Sequence, residues 1–211
     1  MLEKCLADVL PFTSGDMRQQ LLEKLFTYAE LLVKWNNVYN LTAITKMEDI
    51  AYKHFLDSLL VLPYLQGDRI IDVGTGAGLP GIPLALSCQG KQFTLLDSNN
   101  KKIRFLRQVI TELGLKNVTV IHARSEEFMP ANKFDTVIVR AFAALPIIIE
   151  KTQHLVAPHG EIVAMKGKVT PEDLTALPAE FVIQETIRVD TKTEFSKQLG
   201  KRHIIRVTKK G

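Results

Sequence analysis

Cysteine is scarce in this chain of 211 residues: Cys5 and Cys88 are its only two. They are too few and too far apart for a disulfide framework, and alone they cannot make a four-ligand zinc site. A reducing, cytoplasmic setting fits, and no metal is expected. Long apolar runs are also missing. The one uncharged stretch near membrane-spanning length, Val73 to Gly90, is broken by Gly74, Gly76, Gly78, Gly81, Pro80 and Pro83, which suits a loop entering a helix rather than a span. Near the start, Glu3, Lys4 and Asp8 interrupt the apolar residues before a signal-peptide core could form. Three catalytic signatures are absent as well. No Pro-Cys nucleophile pair and no Asn-Pro-Pro-aromatic loop occur, and none of Tyr28, Tyr39, Tyr52 and Tyr64 has a lysine four residues later. Short-chain hydride chemistry therefore loses support.

What is present is ordinary globular composition, 46% hydrophobic and 24% charged, too apolar for a disordered chain. The length suits one α/β-sized domain with an extension. The net charge of +4 is unevenly placed. Residues 1 to 68 carry six Lys/Arg against nine Asp/Glu, whereas Arg188 to Gly211 carry eight basic residues against Asp190 and Glu194. That basic end is either a phosphate-facing surface or a solvated tail.

From Ser14 to Lys34, Met17, Leu21, Leu25, Tyr28 and Leu32 recur near helical spacing, with Ser14 or Asp16 placed to cap the start. A second helix is predicted from about Met47 to Leu62, and the segment Trp35 to Thr42 between them reads as a turn. From Arg69 onward, β-branched runs alternate with helical ones. Strands are predicted at Arg69 to Val73, Phe93 to Asp97, Val118 to His122, Thr136 to Arg140 and Glu161 to Lys166. Crossover helices between them give a doubly wound, mostly parallel sheet. Phe181 to Val189 and His203 to Thr208 then fit a hairpin-like return with an antiparallel strand at the sheet edge. The division expected is residues 1–66 as a helical extension and 67–211 as the sheet domain.

The strongest local signal is Asp72-Val73-Gly74-Thr75-Gly76-Ala77-Gly78-Leu79-Pro80-Gly81, a strand ending in glycines that open a helix, so something approaches this backbone closely. Gly76, Gly78 and Gly81 match a dinucleotide spacing, with Asp97 placed for a ribose. However, Gly74-x-Gly76-x-Gly78 just after Asp72 resembles the S-adenosylmethionine loop of class I, Rossmann-like methyltransferases. The carboxylate discriminates: it would repel a pyrophosphate and suits the ammonium and sulfonium of S-adenosylmethionine. Asp97 closes the second strand, where it would hold ribose hydroxyls or cap the following helix. Ser125 and Glu126 follow the third strand, where an adenine edge would fall, and Arg140 ends the fourth, at the sheet edge where such folds place their chemistry. Cys88 reads as a small buried hydrophobe.

Taken together, Trp35-Asn36-x-x-Tyr39-Asn40-Leu41-Thr42, His54-x-x-Asp57-Ser58, the glycine loop, Arg140-Ala141-Phe142-Ala143 and Lys166-Gly167-Lys168 resemble the bacterial 16S ribosomal RNA guanine-N7 methyltransferases, the glucose-inhibited division protein B family. The resemblance implies that Gly74, Leu79, Ser125, Glu126 and Arg140 contact S-adenosyl-L-methionine, and the loop and strand-end readings add Thr75, Gly76, Gly78 and Asp97 to the expected cofactor set. It also implies a guanine of 16S rRNA as acceptor, free or within a 30S subunit or assembly intermediate; a monomer is expected. Guanine N7 carries an in-plane lone pair and no proton, so no general base is required and positioning can supply much of the rate. Arg140, Lys166 and Lys168 are the positioning candidates, Arg140 toward the methionine carboxylate or an RNA phosphate and the lysines toward RNA phosphate. His54 and Asp57, three apart on a helix, are expected to pair with each other, and Trp35 and Tyr39 to pack the first helix rather than stack bases. A dinucleotide-binding oxidoreductase and a non-catalytic small-subunit assembly factor are the alternatives.

Overall fold

The computed structural model describes residues 15–140, 143–189 and 200–210. Ser14, Ala141, Phe142, Lys192 and Lys197 lie outside the described residues. Helix α1, Gly15–Tyr39, buries Leu21, Leu25, Tyr28, Ala29 and Leu32, each large apolar side chain contributing roughly 1.5–3 kcal/mol. It runs five residues beyond Lys34, so Trp35 to Tyr39 are helical rather than a turn. The reason is local packing: Trp35 lies 5.2 Å from Tyr39 and 5.6 Å from Phe105 between ring centroids. Buried Asn36 also accepts the Thr42 N–H at 2.8 Å. The helix stops at Asn40, whose φ of 51° lies in the left-handed region that asparagine tolerates.

Helix α2 begins at Met47–Ile50, passes through a π-helical stretch, Ala51–Leu56, and ends in Asp57–Leu59. The wider turn, closed by i→i+5 bonds, brings Tyr52, His54, Phe55 and Leu56 all inward.

The sheet domain follows as β1 Arg69–Val73, α3 Gly81–Ser87, β2 Gln92–Asp97, α4 Asn100–Leu113, β3 Val118–His122, β4 Phe134–Arg140, α5 Leu145–Thr152, β5 Val156–Lys166, α6 Pro171–Thr175, β6 Phe181–Val189 and β7 Arg202–Lys209. All five predicted parallel strands are present, three of them longer than their apolar pattern. The strand order is β3-β2-β1-β4-β5-β7-β6. The first five are parallel, and β7 runs antiparallel to both β5 and β6, forming the edge hairpin. Helix α4 is bounded as its sequence dictates, with the Asn99 side chain accepting the Lys101 N–H and Gly114 at φ 61° closing the C-terminus.

Both sheet faces are covered, as a parallel sheet requires. Alternation along the strands divides them: Leu95 faces a cluster shared by α1, α2 and α4, whereas Ile71, Leu96 and Val137 face one built around α5. The N-terminal helices therefore pack on the same core as the sheet.

Gly78 shows how tightly that side closes. Its φ is +96°, and a Cβ there would lie 2.6 Å from Ile82 Cγ1 and 2.9 Å from Leu106 Cδ2. Gly78→Ala is expected to lower the unfolding free energy by roughly 2–5 kcal/mol through backbone strain and overpacking, read as a lower urea midpoint. An unchanged midpoint would contradict this packing.

Candidate functional site

Strand register carries several of the polar residues to one edge. Val73 pairs with Leu96 and Val139, Asp97 with His122, Arg140 with Met165, and Lys166 with His203. The strand order reverses between β1 and β4, the switch point at which open α/β sheets bind ligands. A cavity of about 390 Å³ lies there, lined by Gly74, Asp97, Ser125, Glu126, Arg140, Ala143 and the α5 residues Ile147, Ile148, Lys151 and Thr152, among others. That volume falls in the roughly 300–1,000 Å³ typical of small-molecule sites.

The glycine loop forms one wall and is tied down from below. Asp72 Oδ2 accepts the Thr75 hydroxyl at 2.6 Å and the Gly81 N–H at 2.8 Å. Burial pushes its carboxyl up to about 6, against those bonds and the Arg140 charge. Its Oδ1 is buried without a hydrogen-bond partner. Asp72 thus lies beneath the loop instead of lining the cavity. Asp97 both lines the cavity and organises its surroundings: Oδ2 accepts the Gly76 N–H and Oδ1 the Asn99 N–H, each at 2.8 Å, with Lys102 Nζ at 3.8 Å. Its carboxylate helps start α4 and faces the cavity at once.

Of the nine residues expected at the cofactor, Gly74, Asp97, Ser125, Glu126 and Arg140 line the cavity. Thr75, Gly76, Gly78 and Leu79 do not. Thr75 and Leu79 are buried, Leu79 within the core, and these four residues build the loop. Sequence reasoning missed what holds the opposite wall: His154 Nε2 lies 3.0 Å from the Ser125 carbonyl oxygen and 3.3 Å from that of Phe128, fixing the turn that carries Ser125 and Glu126. The Ser125 hydroxyl donates to Glu126 at 2.8 Å. The Glu126 backbone N–H, and then that bond, hold the Glu126 carboxyl below its ordinary range.

The lysines separate. Lys168 is exposed. Lys166, expected to face phosphate, is buried and committed: its ammonium pairs with Asp173 and donates to the Ala143 carbonyl at 3.0 Å. Burial raises the Asp173 carboxyl, but bonds from Lys166, Thr170 and Leu145 outweigh it and hold the group at about 2. Cys88 is half-buried at the end of α3, its thiol pushed up by burial.

His54 and Asp57 do not pair with each other. The π-helical stretch between them alters the angle that an ordinary i,i+3 spacing would give. His54 Nε2 lies 2.9 Å from Thr42 Oγ1, and Asp57 Oδ1 accepts from Arg202 Nε at 2.7 Å. Burial, with the Arg140 charge, lowers the imidazole to about 4, so His54 is neutral at neutral pH. On α1, Tyr28 donates its hydroxyl to the Ala77 carbonyl of the glycine loop. Its ring stacks on Phe55 and Phe105 at 5.2 and 6.3 Å, and burial raises its hydroxyl. The sequence marked Tyr28 only as one apolar position of a helix.

The basic end is partly spent. Besides Arg202, Arg206 pairs with Glu161 at 2.9 Å and Glu185 at 3.4 Å.

The rRNA small subunit methyltransferase G profile, GidB, matches residues 21–205. The chain belongs to the GidB family. A relative from Nitrosococcus oceani named ribosomal RNA small subunit methyltransferase G is 50% identical over 168 residues, spanning 80% of this chain and 78% of the relative. One of the same name from Shewanella sp. strain MR-4 is 43% identical over 208 residues, 99% of this chain and 97% of the relative. In fold, this GidB chain is similar to magnesium protoporphyrin IX methyltransferase from Synechocystis PCC 6803, solved with bound S-adenosylmethionine. The TM-score is 0.62 at 16% identity, covering 87% of this chain and 97% of that one. Among the described residues of this GidB protein, no group of three or more His, Cys, Asp and Glu could hold a metal ion. No described helix is long and apolar enough to cross a membrane.

The buried imidazole sets a pH dependence. The unfolded chain binds a proton below about 6.5 that folded His54 takes up only near 4, so its contribution to stability falls as pH drops through that window. Asp72, raised in the fold, acts oppositely, so the comparison must be with a variant. Relative to His54→Gln, the wild type is expected to lose stability from pH 6.5 to 4, by up to roughly 3 kcal/mol at about 1.4 kcal/mol per unit. Parallel urea curves for the two proteins across that range would contradict the neutral, buried state of His54.

Proposed function

We propose that this protein transfers a methyl group from S-adenosyl-L-methionine to N7 of a guanine in 16S rRNA, acting in the cytoplasm as a monomer on the 30S subunit or an assembly intermediate. Membership of the GidB family supports the reaction. The observation that carries the site is the cavity at the switch point, with carboxylate Asp97 on one wall and guanidinium Arg140 on another.

The residues present fit the cofactor on two counts. Arg140 faces the cavity with no carboxylate of the described residues within 4.0 Å, leaving its two-pronged donor set for the methionine carboxylate. Asp97 retains lone pairs for ribose hydroxyls beyond the two N–H bonds it accepts. Asp72, beneath the loop with one oxygen unpartnered, favours a cation nearby and disfavours the pyrophosphate that an oxidoreductase reading requires.

Gly74 would give close backbone approach. Ser125 and Glu126 would border the adenine, partly through backbone groups, and Thr75, Gly76, Gly78 and Leu79 would shape the loop. Bound S-adenosylmethionine supplies an electrophilic methyl group. The protein's own task is to orient: Arg140 and Asp97 fix the two ends of the cofactor, and Ala143 and the first turn of α5 border the acceptor. With no proton to remove from N7, alignment is what the residues must supply. Exposed Lys168 is a phosphate contact. Residues 67–211 form the methyltransferase unit, and residues 1–66 an extension whose Tyr28 supports the glycine loop.

The test is incubation with tritiated S-adenosylmethionine and 30S subunits from cells lacking the enzyme, followed by digestion of the RNA to nucleosides. Label in 7-methylguanosine is expected. Cofactor binding without any label in RNA would favour a non-catalytic assembly role, and label in another nucleoside would refute guanine N7 as acceptor.

A further inference from the structure

The charged pair at the end of β5 is buried and reaches the starts of both α5 and α6. Lys166 and Asp173 are 7% and 0% exposed, and each makes bonds to elements other than its own. Lys166 Nζ donates to the Ala143 carbonyl at 3.0 Å. Asp173 Oδ1 accepts the Leu145 N–H, the first of α5, at 2.8 Å. Asp173 Oδ2 accepts from the Thr170 N–H at 2.8 Å and the Thr170 hydroxyl at 3.0 Å, completing a capping box on α6. One ion pair thus grips both ends of the turn from Ala143 to Leu145. Ala143 lines the cavity, as do Ile147, Ile148, Lys151 and Thr152 on the helix that Leu145 begins. Arg140, the last residue of β4, lines the same cavity. On the opposite wall, Gly74 and Asp97 are held by a separate set of bonds that do not involve the pair.

We propose that Lys166 and Asp173 form a latch that sets the position of Ala143–Leu145 and the start of α5, and with them one wall of the cavity, so that Lys166 is a positioning residue for methyl transfer. This rests on the methyltransferase reading above. A buried, multiply hydrogen-bonded pair suits the task because its geometry is fixed, and a displacement of about 1 Å at a reacting centre can cost on the order of a hundredfold in rate.

The test uses full-length Lys166→Met/Asp173→Asn. Removing both charges avoids stranding one in the interior; the amide oxygen can still accept one of the two capping N–H groups, from Leu145 or Thr170, and its NH2 cannot replace the other. Expected are a melting temperature within a few degrees of wild type, an S-adenosylhomocysteine affinity within about threefold by calorimetry, and a kcat on 30S subunits at least tenfold lower. Lys166→Met alone, which releases Ala143 but leaves Asp173 the Leu145 and Thr170 donors that cap α5 and α6, serves if the double variant fails to fold, with kcat expected about three- to tenfold lower at unchanged cofactor affinity. A folded variant with wild-type kcat, or kcat and cofactor affinity falling in step with melting temperature, would overturn the latch. Wild-type protein that leaves no label in 7-methylguanosine would instead overturn the reading beneath it.

Discussion

Beneath the glycine loop, the Asp72 carboxylate accepts the Thr75 hydroxyl and the Gly81 N–H on one oxygen, and the geometry of the cavity depends on that pair of bonds. They fold the chain back at the end of β1, bring α3 to its start and leave the Gly74 backbone at the cavity wall. The contact admits no side chain: a Cβ on Gly81 would lie 2.2 Å from Leu95 and 2.9 Å from Asp72. The carboxylate is desolvated at a cost seen in its raised pKa. Two further supports share the load: Asp97 accepts the Gly76 N–H from β2, and Tyr28 donates to Ala77 from α1.

Elements governed by short-range rules were legible in the sequence. Five β-branched runs became the parallel strands, and the glycines after Asp72 became a loop with φ of 69°, 63° and 96° at Gly74, Gly76 and Gly78. Asp97, Ser125, Glu126 and Arg140 reached one cavity because strand ends in this topology share an edge, and that follows from strand order alone. The end of α1 was not legible. Trp35-Asn36-Asn37 looks like a turn, yet Trp35 stays helical to pack on Phe105, a contact 70 residues away in sequence. The π-helical stretch in α2 carries no period that distinguishes it from an α-helix, and so His54 and Asp57 looked like partners.

Charge was the least legible property, because a lysine in sequence has no depth. Lys166 and Lys168 flank one glycine, but one is buried against Asp173 and the other is exposed. The basic C-terminal end likewise counts eight cations, of which Arg202 and Arg206 are engaged by Asp57, Glu161 and Glu185. The pair from Arg202 to Asp57 joins β7 to α2, so part of the positive charge holds the N-terminal helices to the sheet. Any electrostatic attraction to RNA falls to the remaining exposed cations, and it should weaken as salt rises.

The central claim, that the cavity between Gly74, Asp97 and Arg140 is the S-adenosylmethionine site, is tested most directly by a crystal structure with S-adenosylhomocysteine. The account predicts density in that cavity, with the ribose hydroxyls on Asp97, the adenine beside Ser125 and Glu126, and the amino-acid carboxylate on Arg140. Ligand density at another place, or in this cavity with the ribose away from Asp97 and the carboxylate away from Arg140, would contradict it.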